Sequence, residues 1–321
     1  MESKLNFFRS LALMVAGLMC FSSAAAADNL SGRVGDMNGD GRIGITDVVE
    51  VIDAILTDSP ANAISDINGD GQMTITDITM LIDQILDVNQ TVQRYVANGV
   101  PFTMVIVGGG TFSMGATSEQ ASEANYDEYP VHQVTLSTYT IGQTQVTQEL
   151  WEAVMDYNPS LGVINPQNPV ENVSWFECRQ FINALNTLTG CQFRLPTEAE
   201  WEFAARGGNK SKHYKYSGSN NYDEVAWCEL NSNDRTQPVG TKKANELGIY
   251  DMSGNVWEWC YDWWAMYSSE SCVDPTGPET GTDRVCRGGC MEGHVRFCRI
   301  GYRQYYSPET ARRDLGLRIT L

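Results

Sequence analysis

The run Leu247-Gly-Ile-Tyr-Asp-Met-Ser-Gly-Asn-Val-Trp-Glu-Trp259 places a tight Gly-Asn turn directly before two tryptophans. Asp251 and Glu258 flank Gly254-Asn255, and with the carbonyls of Gly254 and Val256 they can present a ring of oxygens to a hard cation. A plainer reading has the two acids capping the turn beside Trp257 and Trp259. All eight tryptophans lie from Trp151 onward, so the turn sits in the part of the chain with the largest apolar side chains.

Upstream of this run, residues 209–246 have no sustained period and read as long loops. Ser174-Trp-Phe-Glu177 and Thr197-Glu-Ala-Glu200 each fit a capping box, which predicts helices over about 174–187 and 197–206. Phe102–Val107 and Thr111–Gly115, joined by Gly108 to Gly110, alternate apolar residues and read as a hairpin. Helices, short strands and much irregular chain over residues 99–321 give an α+β class.

Downstream, Arg284–Arg303, RVCRGGCMEGHVRFCRIGYR, sets Cys286, Cys290, Cys298 and His294 on a Gly- and Arg-rich segment. Thiols spaced in this way serve as disulfide partners or as soft metal ligands. His132, His213 and His294 are too scattered for a zinc or iron triad, and Arg312 and Arg313 beside Asp314 read as solvated surface.

The N-terminus carries Lys4 and Arg9, an apolar run Leu11–Phe21, and Ala24 to Ala27 before Asp28, the pattern of a cleaved export signal over residues 1–27. Met19 before Cys20 argues against lipid anchoring, and no other segment is long and apolar enough to span a bilayer. The expected location is secreted, periplasmic or cell-surface. Export makes paired cysteines the expectation for the eight that remain, with the connectivity open.

Residues 28–90 hold twelve acidic and two basic side chains, more than half of the net charge of −18. Such a balance argues against nucleic acid and anionic membrane as partners and favours bound cations. Asp36-Met-Asn38-Gly-Asp40-Gly41 ending at Asp47 recurs thirty residues later as Asp66-Ile-Asn68-Gly-Asp70-Gly71 ending at Asp77. Oxygens at loop positions 1, 3, 5 and 12, with Gly at 6, suit calcium. Apolar stripes follow: Val48, Ile52, Ile55 and Leu56, then Ile78, Leu81, Ile82, Ile85 and Leu86. Residues 91–98 read as a linker.

Gly35 and Ser65 stand where an entering helix would precede each loop, and position 12 is Asp. Residues 34–88 therefore resemble a dockerin module rather than a paired-helix calcium hand. The resemblance implies two calcium ions and a cohesin-like partner for residues 28–90. Ile45-Thr46 and Ile75-Thr76 depart from the Ser-Thr often found at loop positions 10 and 11.

Gly108–Gly115, Pro130–Val134, Pro169–Trp175, Arg194–Trp201, Leu247–Trp259 and Arg287–Gly289 together resemble the formylglycine-generating enzyme, or sulfatase-modifying factor, family. The resemblance implies a variant of the C-type lectin-like fold. It also implies a structural calcium at Asp251, Gly254, Val256 and Glu258, with Asp251 replacing Asn. Catalytic members oxidise a cysteine in a Cys-x-Pro-x-Arg segment to formylglycine, using copper held by two thiols. Position by position, the second thiol falls on Cys298, the first on Gly293, and the Ser of Arg-Gly-Gly-Ser on Cys290; His294 matches the family His, and Phe297 replaces Tyr. The missing thiol argues against copper. The favoured function is a non-catalytic protein that binds a protein or glycan ligand or acts as a scaffold, with Tyr302, Tyr305 and Tyr306 suited to recognition. One alternative is an oxidase using Cys290 and Cys298; another is an accessory of a polysaccharide-degrading assembly.

Overall fold

The computed structural model describes residues 32–86 and 91–321. The expected export signal and residues 88–90 lie outside them. The first part holds strand β1 (Gly32–Arg33) and helices α1 (Ile45–Leu56) and α2 (Ile75–Leu86). Each helix starts on the last acid of its loop: Asp47 accepts from the Gly44 N–H at 2.7 Å and Asp77 from the Thr74 N–H at 2.8 Å. Val34, Val48, Val51, Ile67, Ile78 and Leu81 form a small shared core. Of the expected stripe, Leu56 is 68% and Ile85 38% exposed, because the last helical turns run past that core.

The expected linker is a strand. β2 (Val92–Ala97) pairs with β1 (Gly32 opposite Val96) and with β3 (Val100–Val107). Successive side chains of a strand point to opposite faces. Val96 enters the small core, while Tyr95 and Ala97 enter the main core of the following domain. One strand thus seals both cores, and the polar residues on its exposed flank made it read as a connector.

The large domain continues with β4 (Gly110–Met114), β5 (His132–Leu136), β6 (Tyr139–Gly142), α3 (Gln148–Met155), α4 (Trp175–Thr189), α5 (Glu198–Ala205), α6 (Tyr222–Val225), β7 (Trp257–Trp263), β8 (Cys272–Val273), β9 (Arg284–Arg287), β10 (Arg303–Tyr306) and β11 (Leu315–Leu317). Among the described residues three sheets run β1-β2-β3-β6, β10-β9-β7-β11 and β4-β5-β8. The expected β3–β4 hairpin does not form: β3 pairs with β2 and β6, β4 with β5. The glycines between them carry the chain from one sheet to the next. A Cβ on Gly109 would meet the Leu136 carbonyl oxygen at 2.6 Å.

Both expected helix starts carry reciprocal caps. The Ser174 hydroxyl accepts from the Glu177 N–H at 3.2 Å and the Thr197 hydroxyl from the Glu200 N–H at 3.2 Å, while each Glu accepts from the cap N–H at 2.8 Å. Every residue of α5 is buried, three glutamates included. Buried carboxylates need partners. Arg303 holds Glu198 at 2.6 and 2.8 Å, Arg194 holds Glu200, and Arg206 and Arg287 share Glu202.

Asp262, on β7, accepts from the Glu198 N–H at the start of α5 at 2.8 Å. Burial, and then the nearby Glu198 charge, push its carboxyl up to about 8. The folded protein keeps this proton where the unfolded chain, with an ordinary value of 3.8, has lost it. This group's contribution is therefore complete below about pH 4 and lost as pH rises to about 8, at up to about 1.4 kcal/mol per pH unit. Asp262→Asn keeps an oxygen for the Glu198 N–H and is expected to flatten that slope. Urea midpoints across the window check it, and an unchanged slope would exclude Asp262 as the source.

Candidate functional site

The turn at 251–258 gathers its oxygens through unusual backbone. Asp251, Gly254 and Asn255 have φ of 57°, 86° and 67°. Gly254 is obligatory, since a Cβ there would lie 2.1 Å from the Trp227 carbonyl oxygen. Into the resulting ring reaches Gln145, from the turn between β6 and α3. Its amide nitrogen stands 3.3 Å from the Asp251 carbonyl, 3.3 Å from Gly254 O, 3.0 Å from Val256 O and 3.0 Å from Glu258 Oε1.

Two amide hydrogens cannot serve four oxygens. Gln145 Oε1 and Asp251 Oδ1 are both buried without a hydrogen-bond partner. Turning the Gln145 amide over would add Oε1 to the ring, and which end of an amide faces inward is an assignment made from the bonding around it. The donor set then becomes all oxygen, which fits a hard cation such as calcium. Burial pushes the Asp251 carboxyl up to about 6, the shift a bound cation would reverse. Glu258 is further held by Arg318 at 2.9 and 2.9 Å and by the Trp201 indole N–H at 2.7 Å. The sequence reading included Asp251, Gly254, Val256 and Glu258 but missed Gln145 and Arg318, which lie far away in sequence and in no shared motif.

Cys290 and Cys298 are both buried, but Cys290 Sγ lies 3.4 Å from Asp314 Oδ2. Burial, then the Asp314 charge, push the Cys290 thiol well up. Asp314 is itself buried and held by Arg312 at 2.8 and 3.0 Å, so the expected solvated charge cluster has a covered carboxylate at its centre. A Cβ on Gly293 would come within 3.0 Å of Cys290 Sγ. Cys290 therefore stands beside the place of the missing family thiol but is turned to Asp314.

Cys298 instead shares a small buried cluster with Cys228, from the irregular segment 209–246. The neighbouring Cys298 thiol lowers the Cys228 thiol to about 7, and Cys228 and burial raise Cys298. His294 is exposed; its Nδ1 accepts from the Arg296 N–H at 3.2 Å. With Gly at 293 the family's own pair of thiols lacks its first member, and the thiol nearest Cys298 is Cys228 from another segment. All eight cysteines of the described residues are unbonded thiols.

Of the recognition tyrosines, Tyr302 is buried against Phe297, with ring centroids 4.8 Å apart, and Tyr306 packs near Trp259. Tyr305 alone of the three is well exposed, at 37%. The Trp-rich β7 strand absorbs the other two.

In the acidic repeats the outer loop positions are preformed. Asp36 accepts from the Asp40 and Gly41 N–H groups, and Asp47 from Met37, Asn38 and Gly44. Asp66 and Asp77 repeat the pattern with Gly69, Asp70 and Gly71, and with Ile67, Asn68 and Thr74. Asn38, Asp40, Asn68 and Asp70 turn their oxygens to neighbouring backbone N–H groups. Burial, opposed by the Gly41 N–H and assisted by the Asp47 and Asp40 charges, raises the Asp36 carboxyl.

Known proteins resemble both parts. The family model described as sulfatase-modifying factor enzyme 1-like domain matches residues 91–321, and that of the dockerin type I domain matches residues 34–86. A chaperone protein LppX of Paenibacillus barcinonensis is 35% identical over 266 residues, 67% of this chain and 88% of its own length. A formylglycine-generating enzyme of Thermomonospora curvata is 35% identical over 173 residues, 48% of this chain and 55% of that protein. The chain thus spans about half the length of that enzyme. The solved structure of Treponema denticola variable protein 1 aligns with a TM-score of 0.64 at 34% identity, covering 72% of this chain and 99% of that one.

Proposed function

We propose, for a chain that belongs to the sulfatase-modifying factor family over residues 91–321 and carries a dockerin module over residues 34–86, that the large domain is a calcium-stabilised binding scaffold without the family's copper-dependent oxidation. The observation that carries this reading is Gly293, with Cys290 tied to Asp314 rather than aimed at Cys298. The family's copper pair would be reduced here to Cys298, with no thiol at position 293 to complete its linear ligation. Calcium in the ring of Asp251, Gly254, Val256, Glu258 and Gln145 would pin β7 to the turn after β6.

Dockerin modules bind cohesins, and here residues 28–90 would attach the scaffold to such a partner outside the cell. Ile45 and Ile75, at the same position of the two loops, are 65% and 60% exposed and offer equivalent apolar contacts. The association of dockerins with polysaccharide-degrading assemblies makes a glycan-rich setting the natural one for the scaffold.

The deciding experiment incubates the full-length protein with a Cys-x-Pro-x-Arg peptide, copper and oxygen, and reads the peptide mass. The expected result is an intact cysteine. Conversion to the aldehyde would overturn the reading and favour Cys290, which stands beside the Gly293 position, as a displaced ligand with Cys298.

A further inference from the structure

We infer that Cys228 and Cys298 form a disulfide in the mature protein. Cys228 follows α6 by three residues, and Cys298 ends the short helical turn Val295–Cys298. Both side chains are completely buried in a small cluster with Tyr216, Val225 and Ala226. Two thiols from segments far apart in the chain are thus brought into one buried cluster. The other buried thiols are engaged elsewhere: Cys290 meets Asp314, Cys178 and Cys286 are packed in the main core, and Cys260 lies in a second core cluster.

The bond would do structural work at a weak point of the fold. The segment 209–246 has little regular structure, with α6 as its one short α-helix, and Cys228 lies in it. A link to Cys298 closes a long loop and ties that segment to the turn after Arg-Gly-Gly, which limits the unfolded chain most when the closed loop is long. It would also consume the sulfur at the family's second copper position. The inference goes beyond the scaffold reading and stands without it.

In the oxidation the two S–H bonds break, one S–S bond forms, and two electrons and two protons pass to an external disulfide, which becomes two thiols. Because both sulfurs are covered in the native fold, exchange occurs while the chain is folding. An oxidising compartment supplies such an acceptor.

The test refolds the full chain in a mixture of oxidised and reduced glutathione, denatures it, and alkylates free thiols without reduction. Peptide mass mapping should then find the Cys228 and Cys298 peptides linked, two hydrogens lighter than their sum and separated by reductant. Both thiols alkylated, or Cys298 linked to Cys290 or Cys260, would overturn the inference. A Cys228→Ser chain should leave Cys298 open to alkylation and its melting temperature insensitive to reductant; should that variant not fold, the wild-type peptide map decides alone. The peptide-oxidation assay above reads the catalytic question separately, so failure of one leaves the other standing.

Discussion

Glu258→Gln is expected to lower the unfolding free energy by about 3–5 kcal/mol, the usual cost of breaking a buried ion pair from one side. Glu258 is wholly buried, and its two oxygens accept from Arg318, Trp201 and Gln145 at 2.7 to 3.0 Å. The amide places N–H hydrogens against a guanidinium or an indole N–H and leaves the Arg318 charge buried without its counter-ion. A fall in Tm on the order of 10 °C follows for a chain of this size, measured by calorimetry in chelator. In calcium the gap between wild type and variant should widen, because the same substitution removes a ligand of the proposed site. A gap independent of calcium would separate the ion pair from the cation and sink the large-domain calcium. Arg313→Ala is the contrast: its partner Glu292 is half-buried but Arg313 is 57% exposed, so the change should cost less than about 1 kcal/mol.

Chelation of calcium should unfold residues 32–86 while leaving most of the large domain folded. Asp47 and Asp77 are fully buried, and their oxygens are already used by backbone N–H groups of their own loops. Without a cation, Asp36 keeps the Asp47 and Asp40 charges beside it, in a module whose core is a handful of aliphatic side chains. Calcium at about a hundred times its Kd adds about 2.7 kcal/mol per site, a large share of the stability of so small a unit. Far-ultraviolet circular dichroism should lose the signal of α1 and α2 in chelator and regain it with calcium. Asp47→Ala should abolish one of the two steps of a calcium titration. The shared strand β2 makes a further outcome specific: because Val96 closes the small core and Tyr95 the large one, loss of the module should lower the Tm of the large domain as well. No effect on the large domain would mean that β2 holds without its partner β1.

What the amino-acid order determined by itself is local. The calcium loops are legible because all their ligands fall within twelve consecutive positions, and a loop that short brings its oxygens together without help from the rest of the chain. The capping boxes of α4 and α5 are legible for the same reason, since a hydroxyl and a carboxylate three residues apart satisfy the first turn wherever the helix later packs. The absence of a thiol at Gly293 is equally a fact of sequence. Tertiary structure decided the rest. Gln145 and Glu258 lie 113 residues apart, and Cys228 and Cys298 belong to segments with no common pattern. β2 read as a linker because its polar residues hid an alternation that serves two cores. Tyr302 and Tyr306 looked like recognition residues until β7 covered them. In each case the deciding quantity is desolvation, which depends on what the fold lays against a side chain and is invisible in the neighbours it has along the chain.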